Sequence, residues 1–376
     1  MNRRNFVSLM GAAGVVSITN RHAPAVPRSN TPDVARMLEV TRVPGVAIAG
    51  QLDGKPFRLV GGRVSADGPP VTVQTHFPAA SLSKPVFAWA IRDLVRQGKL
   101  VLDRPLEEYL KLGLDGDARK ITAAHVLTHS TGLPNWRFQP GSALASEFQP
   151  GSRWQYSGEG YVLLQRVVEK IVNEPIARYM KTTVLTPLAM TDSSFAWTPE
   201  IQKSAALGHT RRGELLEQSA AFYERRNYET IQKSGGNPES MTYEQITAAY
   251  AQNKVPALAV AIAPNMAGSL QTTIADYAKF LSRVLREFAA KPDDFKSRVD
   301  VNRDIGWTLG WGVDRSPKTP ALFHWGDSPG FKNFCWIQPS RKTALVFFTN
   351  ADSGAALYAW LFRQLMNEDP SVFYWI

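Results

Sequence analysis

Ala80-Ser81-Leu82-Ser83-Lys84 leads straight into Pro85-Val86-Phe87-Ala88-Trp89-Ala90-Ile91, so a serine and a lysine three residues apart open an apolar stretch that reads as a helix over Pro85–Gln97. A spacing of three places both side chains on one helical face, neighbours across a turn. A serine hydroxyl is a weak nucleophile until a base takes its proton, and a lysine held close and partly desolvated can be that base. A serine in the first turn also lies among unpaired N–H groups and the positive end of the helix dipole, which favour developing negative charge. Ser and Lys are common, so an isolated tetrad of this kind reads as an N-cap beside a solvated lysine. Its significance rests on the rest of the chain.

Upstream, Thr31–Val40 reads as a short helix. Val46–Leu52 and Phe57–Val60 flank Asp53-Gly54, a hairpin signature. Downstream, Gly306–Val313, Ala321–Gly326, Asn333–Gln338 and Thr343–Thr349 are four strand candidates, and Ala355–Met366 is a closing amphipathic helix. The middle is helical: Tyr161–Asn173, Pro175–Thr182 and Ile274–Leu285 follow the first helix, and Gln232–Ser240 reads as a mobile loop. Strands at both ends with helices between predict an α+β fold, a mainly antiparallel sheet completed by the two chain ends and flanked by helices, plus a largely helical region. Residues 29–80 and 265–376 are expected to supply mainly the sheet and 81–264 the helices, within one domain spanning 29–376.

The chain's 376 residues can bury a large core, and 44% hydrophobic with 20% charged residues is a globular composition. The net charge of +10 invites a nucleic-acid reading, but the basic residues are scattered, with no Lys/Arg run interleaved with aromatics. Residues 1–25 read as an export signal. Asn2-Arg3-Arg4-Asn5-Phe6-Val7 resembles a twin-arginine pattern, a short Gly/Ala-rich apolar stretch follows to about Ile18, and Ala23-Pro24-Ala25 offers small residues to a signal peptidase. A periplasmic or secreted location is expected, with no membrane-spanning segment in the mature chain. The single cysteine, Cys335, excludes an internal disulfide and lies in the apolar run Asn333–Ile337, where it reads as a packing thiol.

Two more short motifs stand far downstream. Tyr156-Ser157-Gly158 precedes a helix, and His324-Trp325-Gly326 ends a strand candidate before Asp327-Ser328-Pro329-Gly330. With the tetrad, these motifs occur in the order found in the serine beta-lactamase/penicillin-binding-protein-like hydrolases, and the chain resembles their branch of class C beta-lactamases, D-aminopeptidases and carboxylesterases. The flanks Leu127–Pro134, Pro187–Phe195 and Ala267–Leu270 match as well, and the similarity runs from about residue 32 to the final helix. The resemblance implies a beta-lactamase/transpeptidase-like fold.

Chemistry and resemblance together assign roles. Ser81 attacks a carbonyl and is acylated; its rival Ser83 turns to another helical face. Lys84 holds or accepts the Ser81 proton. Tyr156 is its partner, a phenol that adjacent Lys84 can drive towards phenolate and that returns a proton to the leaving group; whether Lys84 or Tyr156 is the base stays open. His324 takes the place of the family's lysine, and the resemblance implies a hydrogen bond from its imidazole to the tyrosine oxygen. Gly326 lets substrate approach the strand edge, and the backbone N–H groups of Ser81 and Asp327 form the oxyanion hole. Trp325 and Gly158 complete the expected substrate contacts. His76, His125, His129 and His209 lack metal-ligand spacing and read as local hydrogen-bonding residues, so neither metal nor cofactor is expected.

Two departures bear on the substrate. Where class C lactamases carry Asn two residues after the tyrosine, this chain has Gly158, and the third motif lacks its lysine. Both changes argue against efficient beta-lactam hydrolysis, the first by removing an amide that could bond an acylamide and the second by removing a charge that attracts a carboxylate. The expectation is an exported serine hydrolase acting on a small ester, amide or peptide, with carboxylesterase as the first reading and D-amino-acid peptidase or weak beta-lactamase as the next. A non-catalytic relative that binds cell-wall peptides or a partner protein is a reading of another class, and a basic nucleic-acid binder is a third, to be recognised by steep salt dependence.

Overall fold

The computed structural model describes residues 33–139 and 144–376. The expected export signal lies outside the described residues. Among them no helix is long and apolar enough to cross a membrane.

Ten strands are described: β1 (Gly45–Leu52), β2 (Lys55–Gly62), β3 (His76–Pro78), β4 (Gln271–Thr273), β5 (Val299–Asp300), β6 (Ile305–Thr308), β7 (Trp311–Asp314), β8 (Ala321–Ser328), β9 (Phe331–Gln338) and β10 (Thr343–Thr349). Eight of them form one antiparallel sheet in the order β2-β1-β10-β9-β8-β7-β6-β5, and β3 pairs with β4 separately. β1 docks against β10 in the register Ile48↔Phe347, so strands from the two ends of the chain pair within one sheet, one strand in from its β2 edge, as the sequence predicts. The Asp53-Gly54 turn closes the β1–β2 hairpin.

The helices are α1 (Val34–Thr41), α2 (Ser83–Arg96), α3 (Ala123–Leu127), α4 (Gly158–Val172), α5 (Ile176–Met180), α6 (Pro199–Ser204), α7 (Ala220–Lys233), α8 (Tyr243–Gln252), α9 (Ile274–Ala290), α10 (Gly354–Met366) and α11 (Val372–Trp375). Period-two alternation in the strands separates two cores. Ala47, Leu322, Cys335, Val346 and Phe348 lie on the α9 side, in one core with residues of α2 and α4, whereas Ile48, Phe323, Phe334, Trp336 and Phe347 lie on the side of α10 and α11. Cys335 is buried in β9, and burial raises its thiol far above its ordinary value. α9 carries Tyr277, Phe280, Leu281, Val284 and Phe288 on its buried side, and Thr273 caps its start by accepting from Asp276 N.

Three expectations are corrected. Gly306–Val313 is two strands, because Gly310 adopts φ +84° and the chain reverses there. Residues 232–240 are largely built: α7 runs to Lys233 and a 3-10 turn covers Pro238–Ser240. A further short helix, α11, follows the one expected to close the chain, and Ser371 Oγ and Val372 N tie its start to Asp304 and Asp314 respectively.

Candidate active site

Ser81 lies in a 3-10 turn (Ala80–Leu82) that runs directly into α2, so it stands two residues ahead of the α-helix instead of in its first turn. Ala80 has φ +51°, a left-handed conformation that is strained for a residue with a Cβ. The surroundings hold it there. Ala79 N donates to Leu270 O at 2.8 Å, and Ser83 Oγ donates to Ala80 O at 2.7 Å while accepting from Leu270 N at 2.9 Å. Ser83 is therefore buried and fully engaged in building the turn, which leaves Ser81 as the accessible hydroxyl.

Lys84 is fully buried on α2, with Nζ 3.0 Å from Ser81 Oγ and 2.7 Å from Ala267 O. Among the described residues it forms no ion pair. Burial without a counter-charge disfavours the ammonium and lowers its pKa to about 7, so the free amine is accessible near neutral pH. The Tyr156 and Tyr161 rings lie 4.9 and 5.4 Å from Nζ and offer the cation only their π faces.

Tyr156 follows the edge of the same pocket. Its hydroxyl is buried beside Ser81 but makes no hydrogen bond of regular geometry. Burial raises the phenol above its ordinary value, opposed by the Ser81 hydroxyl, and so favours the protonated form over the expected phenolate. Its ring stacks on His129 at 4.0 Å and 24°. His129 is buried at φ +53° and accepts from Ser157 N at 3.1 Å through Nδ1. The sequence reads His129 as a local hydrogen-bonding residue; in the structure it also stacks under the tyrosine ring. Burial first, then Lys84 and His324, hold its pKa well below the ordinary imidazole range.

His324 is buried on β8 and donates from Nδ1 to the Trp325 carbonyl at 2.8 Å, which leaves Nε2 as a bare, unpartnered acceptor. Burial and nearby Lys84 lower its pKa to about 3, so it is neutral. Its ring centre is 6.4 Å from that of Tyr156 and no hydrogen bond joins them, which corrects the expected imidazole–tyrosine bond. β7 pairs with β8 only over Ala321–Phe323, so no strand covers the edge from His324 to Ser328. Counting back from the Ser328↔Phe331 pair at the Pro329-Gly330 turn, the Asp327 N–H points away from β9 along that edge. The Asp327 carboxylate pairs with Lys332.

Gly326 has a different reason from the one expected. A Cβ there would sit 2.4 Å from Ala79 O, so the space is filled by the turn that carries Ser81. Asn333 reinforces the junction: Nδ2 donates to Pro78 O at 2.9 Å and Oδ1 accepts from Thr349 N at 3.3 Å. Trp325 points to the opposite side of β8 and packs on Tyr156 (5.3 Å), Trp307 (5.9 Å) and Trp375 of α11 (5.5 Å). It supports the tyrosine instead of lining the Ser81 side of the strand.

Gly158 opens α4, and a Cβ on it would fall 2.3 Å from Trp136 Cζ2. Nothing in the spacing of the motifs pointed to Trp136, which arrives from a loop between two of them. The other histidines do local work: His76 contacts Ser204 and the Asp192 carbonyl, His125 completes a capping box with Thr122, and His209 contacts Asn350 O. Among the described residues no three His, Cys, Asp or Glu side chains gather as metal ligands. A surface groove of about 630 Å³ between α2 and α9, lined by Trp89, Arg96, Lys279, Arg283 and Arg286, holds no nucleophile–base pair, so chemistry and not cavity size locates the site.

Known proteins share the family and the fold. The family model described as Beta-lactamase matches residues 33–366. Among similar curated proteins, esterase EstB of Burkholderia gladioli is 33% identical over 34% of this chain and 40% of its own length. Penicillin-binding protein 4 of Amycolatopsis lactamdurans is 23% identical over 87% of this chain and 86% of its own. The chain thus spans well under half of the esterase, and 62% of penicillin-binding protein 4* of Bacillus subtilis. Among solved structures, a penicillin-binding protein homologue from Pyrococcus abyssi superposes with TM-score 0.69 at 20% identity, covering 91% of this chain and 78% of that one. D-alanine carboxypeptidase AmpC from Burkholderia cenocepacia does so with 0.64 at 18%, covering 89% and 96%. At these identities the likeness is one of fold.

Proposed function

This chain belongs to the beta-lactamase family of serine hydrolases, and we propose that it is an exported, carboxylesterase-like hydrolase working through an acyl-enzyme on Ser81. The observation that carries this reading is the 3.0 Å contact between Ser81 Oγ and a buried, unpaired Lys84 whose pKa is lowered to about 7. Lys84 takes the Ser81 proton as Oγ adds to the ester carbonyl, and the N–H groups of Ser81 and Asp327 receive the oxyanion. Protonated Tyr156 gives its proton to the departing alkoxide and recovers one from Lys84. Water then attacks the acyl-enzyme and gives a proton to the free Lys84 amine, and Lys84 passes that proton to Ser81 Oγ as the Oγ–acyl bond breaks, which releases the acid and restores the Ser81 hydroxyl and the Lys84 amine. His324, neutral, contributes an acceptor at Nε2 and no charge.

The absence of a fixed cation at position 324 and of an amide at 158 supports ester over beta-lactam turnover. The test is a panel of short-chain nitrophenyl esters, D-alanyl amides and nitrocefin on the wild type and Ser81→Ala. Ester hydrolysis that vanishes in Ser81→Ala is the expected result. Preferential cleavage of D-alanyl amides makes it a D-peptidase, and equal background rates for both proteins make it a non-catalytic binder. Export rests on Arg3-Arg4 and the apolar stretch after them; Arg3→Lys with Arg4→Lys is expected to retain the protein in the cytoplasmic fraction.

A further inference from the structure

Ser157 is extended (φ −141°, ψ 120°), so residues 156 and 158 project to the same side of the chain. Tyr156 faces Ser81, and position 158 therefore faces the same pocket. No side chain comes from 158 itself. The Trp136 ring fills that place, with Cζ2, Cη2 and Cε2 at 2.3, 2.4 and 2.8 Å from where a Cβ would be.

The ring is held from both sides. Before it, Asn135 caps α4, its backbone carbonyl accepting from Gly158 N (3.1 Å) and Glu159 N (3.0 Å) and its Oδ1 accepting from Gly158 N at 2.9 Å. After it, Arg137 donates from its backbone N to Glu159 Oε1 at 2.9 Å and from its guanidinium to Oε2 at 3.1 Å, and Glu159 is 1% exposed. Anchoring both neighbours to the first turn of α4 fixes the indole, which forms no hydrogen bond of its own among the described residues.

We propose that Trp136 is the specificity-determining residue of an acyl-side subsite that takes a short apolar acyl group and rejects long chains and acylamides. The inference rests on the hydrolase reading above. The acyl group stays on Ser81 Oγ through both half-reactions whereas the leaving group departs in the first, so a fixed wall on the Tyr156 side of that hydroxyl is read as bounding the acyl group. An indole edge there offers apolar contact, no acceptor, and a fixed boundary to chain length.

Two measurements test it with Trp136→Ala, Gly158→Asn and the double variant. In melting temperature, Gly158→Asn is expected to be strongly destabilising alone and much less so in the Trp136→Ala background. Additive shifts overturn the placement of the ring. In kcat/KM for p-nitrophenyl acetate, butyrate and octanoate, Trp136→Ala is expected to raise the octanoate-to-acetate ratio at least threefold. A smaller change in an enzyme that still cleaves acetate overturns the subsite while leaving the hydrolase reading intact. A wild type that cleaves no ester overturns both. Trp136→Leu, which keeps an apolar anchor, serves under the same threefold criterion if the alanine variant does not fold.

Discussion

Lys84 Nζ stands 3.0 Å from Ser81 Oγ, and its other hydrogen-bond partner is the neutral carbonyl of Ala267 at 2.7 Å. A carboxylate in that second position would hold the ammonium and silence it as a base. A carbonyl orients the amine while leaving burial to lower its pKa to about 7.

The first consequence is a pH profile. With the deprotonated Lys84 amine as the proposed base, kcat/KM for a nitrophenyl ester is expected to rise with pH through about 7 and to level off above it. A profile flat from pH 5.5 to 8.5 would assign the proton transfer elsewhere.

The same burial links to stability. The folded pKa of Lys84 lies below the ordinary 10.5, so the unfolded chain binds the proton more readily between those values, and stability rises with pH from about 7 towards 10.5. In Lys84→Met this contribution disappears. The difference in melting temperature between variant and wild type should favour the variant most at pH 7 or below and shrink by pH 10, while activity falls by roughly 10³-fold or more.

Tyr156→Phe removes a hydroxyl that has no regular hydrogen bond and keeps the ring stacked on His129 at 4.0 Å. Activity is expected to fall about 10²–10⁴-fold. Thermal stability should change little, since no bonded partner is orphaned. Differential scanning calorimetry beside initial rates separates the two effects.

His324→Lys would restore the residue of the lactamase motif, but into a buried position already influenced by Lys84. A second unpaired cation there is expected to lower stability by about 3–5 kcal/mol in urea unfolding at pH 7. Nitrocefin turnover is not expected to appear, because the Gly158 position still has Trp136 against it.

Ala80→Gly relieves a left-handed backbone at φ +51°, a strain of about 1 kcal/mol that is partly offset by the greater entropy of glycine in the unfolded chain. Melting temperature is expected to hold or rise slightly while kcat falls, as the turn presenting Ser81 loses its rigidity.

Much of this was legible from residue order. β1 and β10 follow their turn residues and alternation to within one residue, β2 extends two residues beyond its expected span at each end, and Ser81, Lys84 and Tyr156 come together because short motifs carry local geometry with them. What escaped has a common cause: contacts made across long sequence separations. His129 shows the histidine of an apolar flank, and only the fold stacks it under Tyr156. Trp136 bears on Gly158 from 22 positions upstream, where no periodicity points to it. The break between β6 and β7 was within reach, since Gly310 interrupts the run, but continuous apolar residues on either side masked the reversal.

Gly326 has one more implication. With a Cβ there only 2.4 Å from Ala79 O, peptide units alone set how far apart the two proposed oxyanion donors are carried, on β8 and on the Ser81 turn. A methyl group would wedge those two supports apart and slacken the grip on the oxyanion. The width of that gap is therefore a dimension that side-chain exchange can only enlarge, and new substrates must be accommodated along its walls.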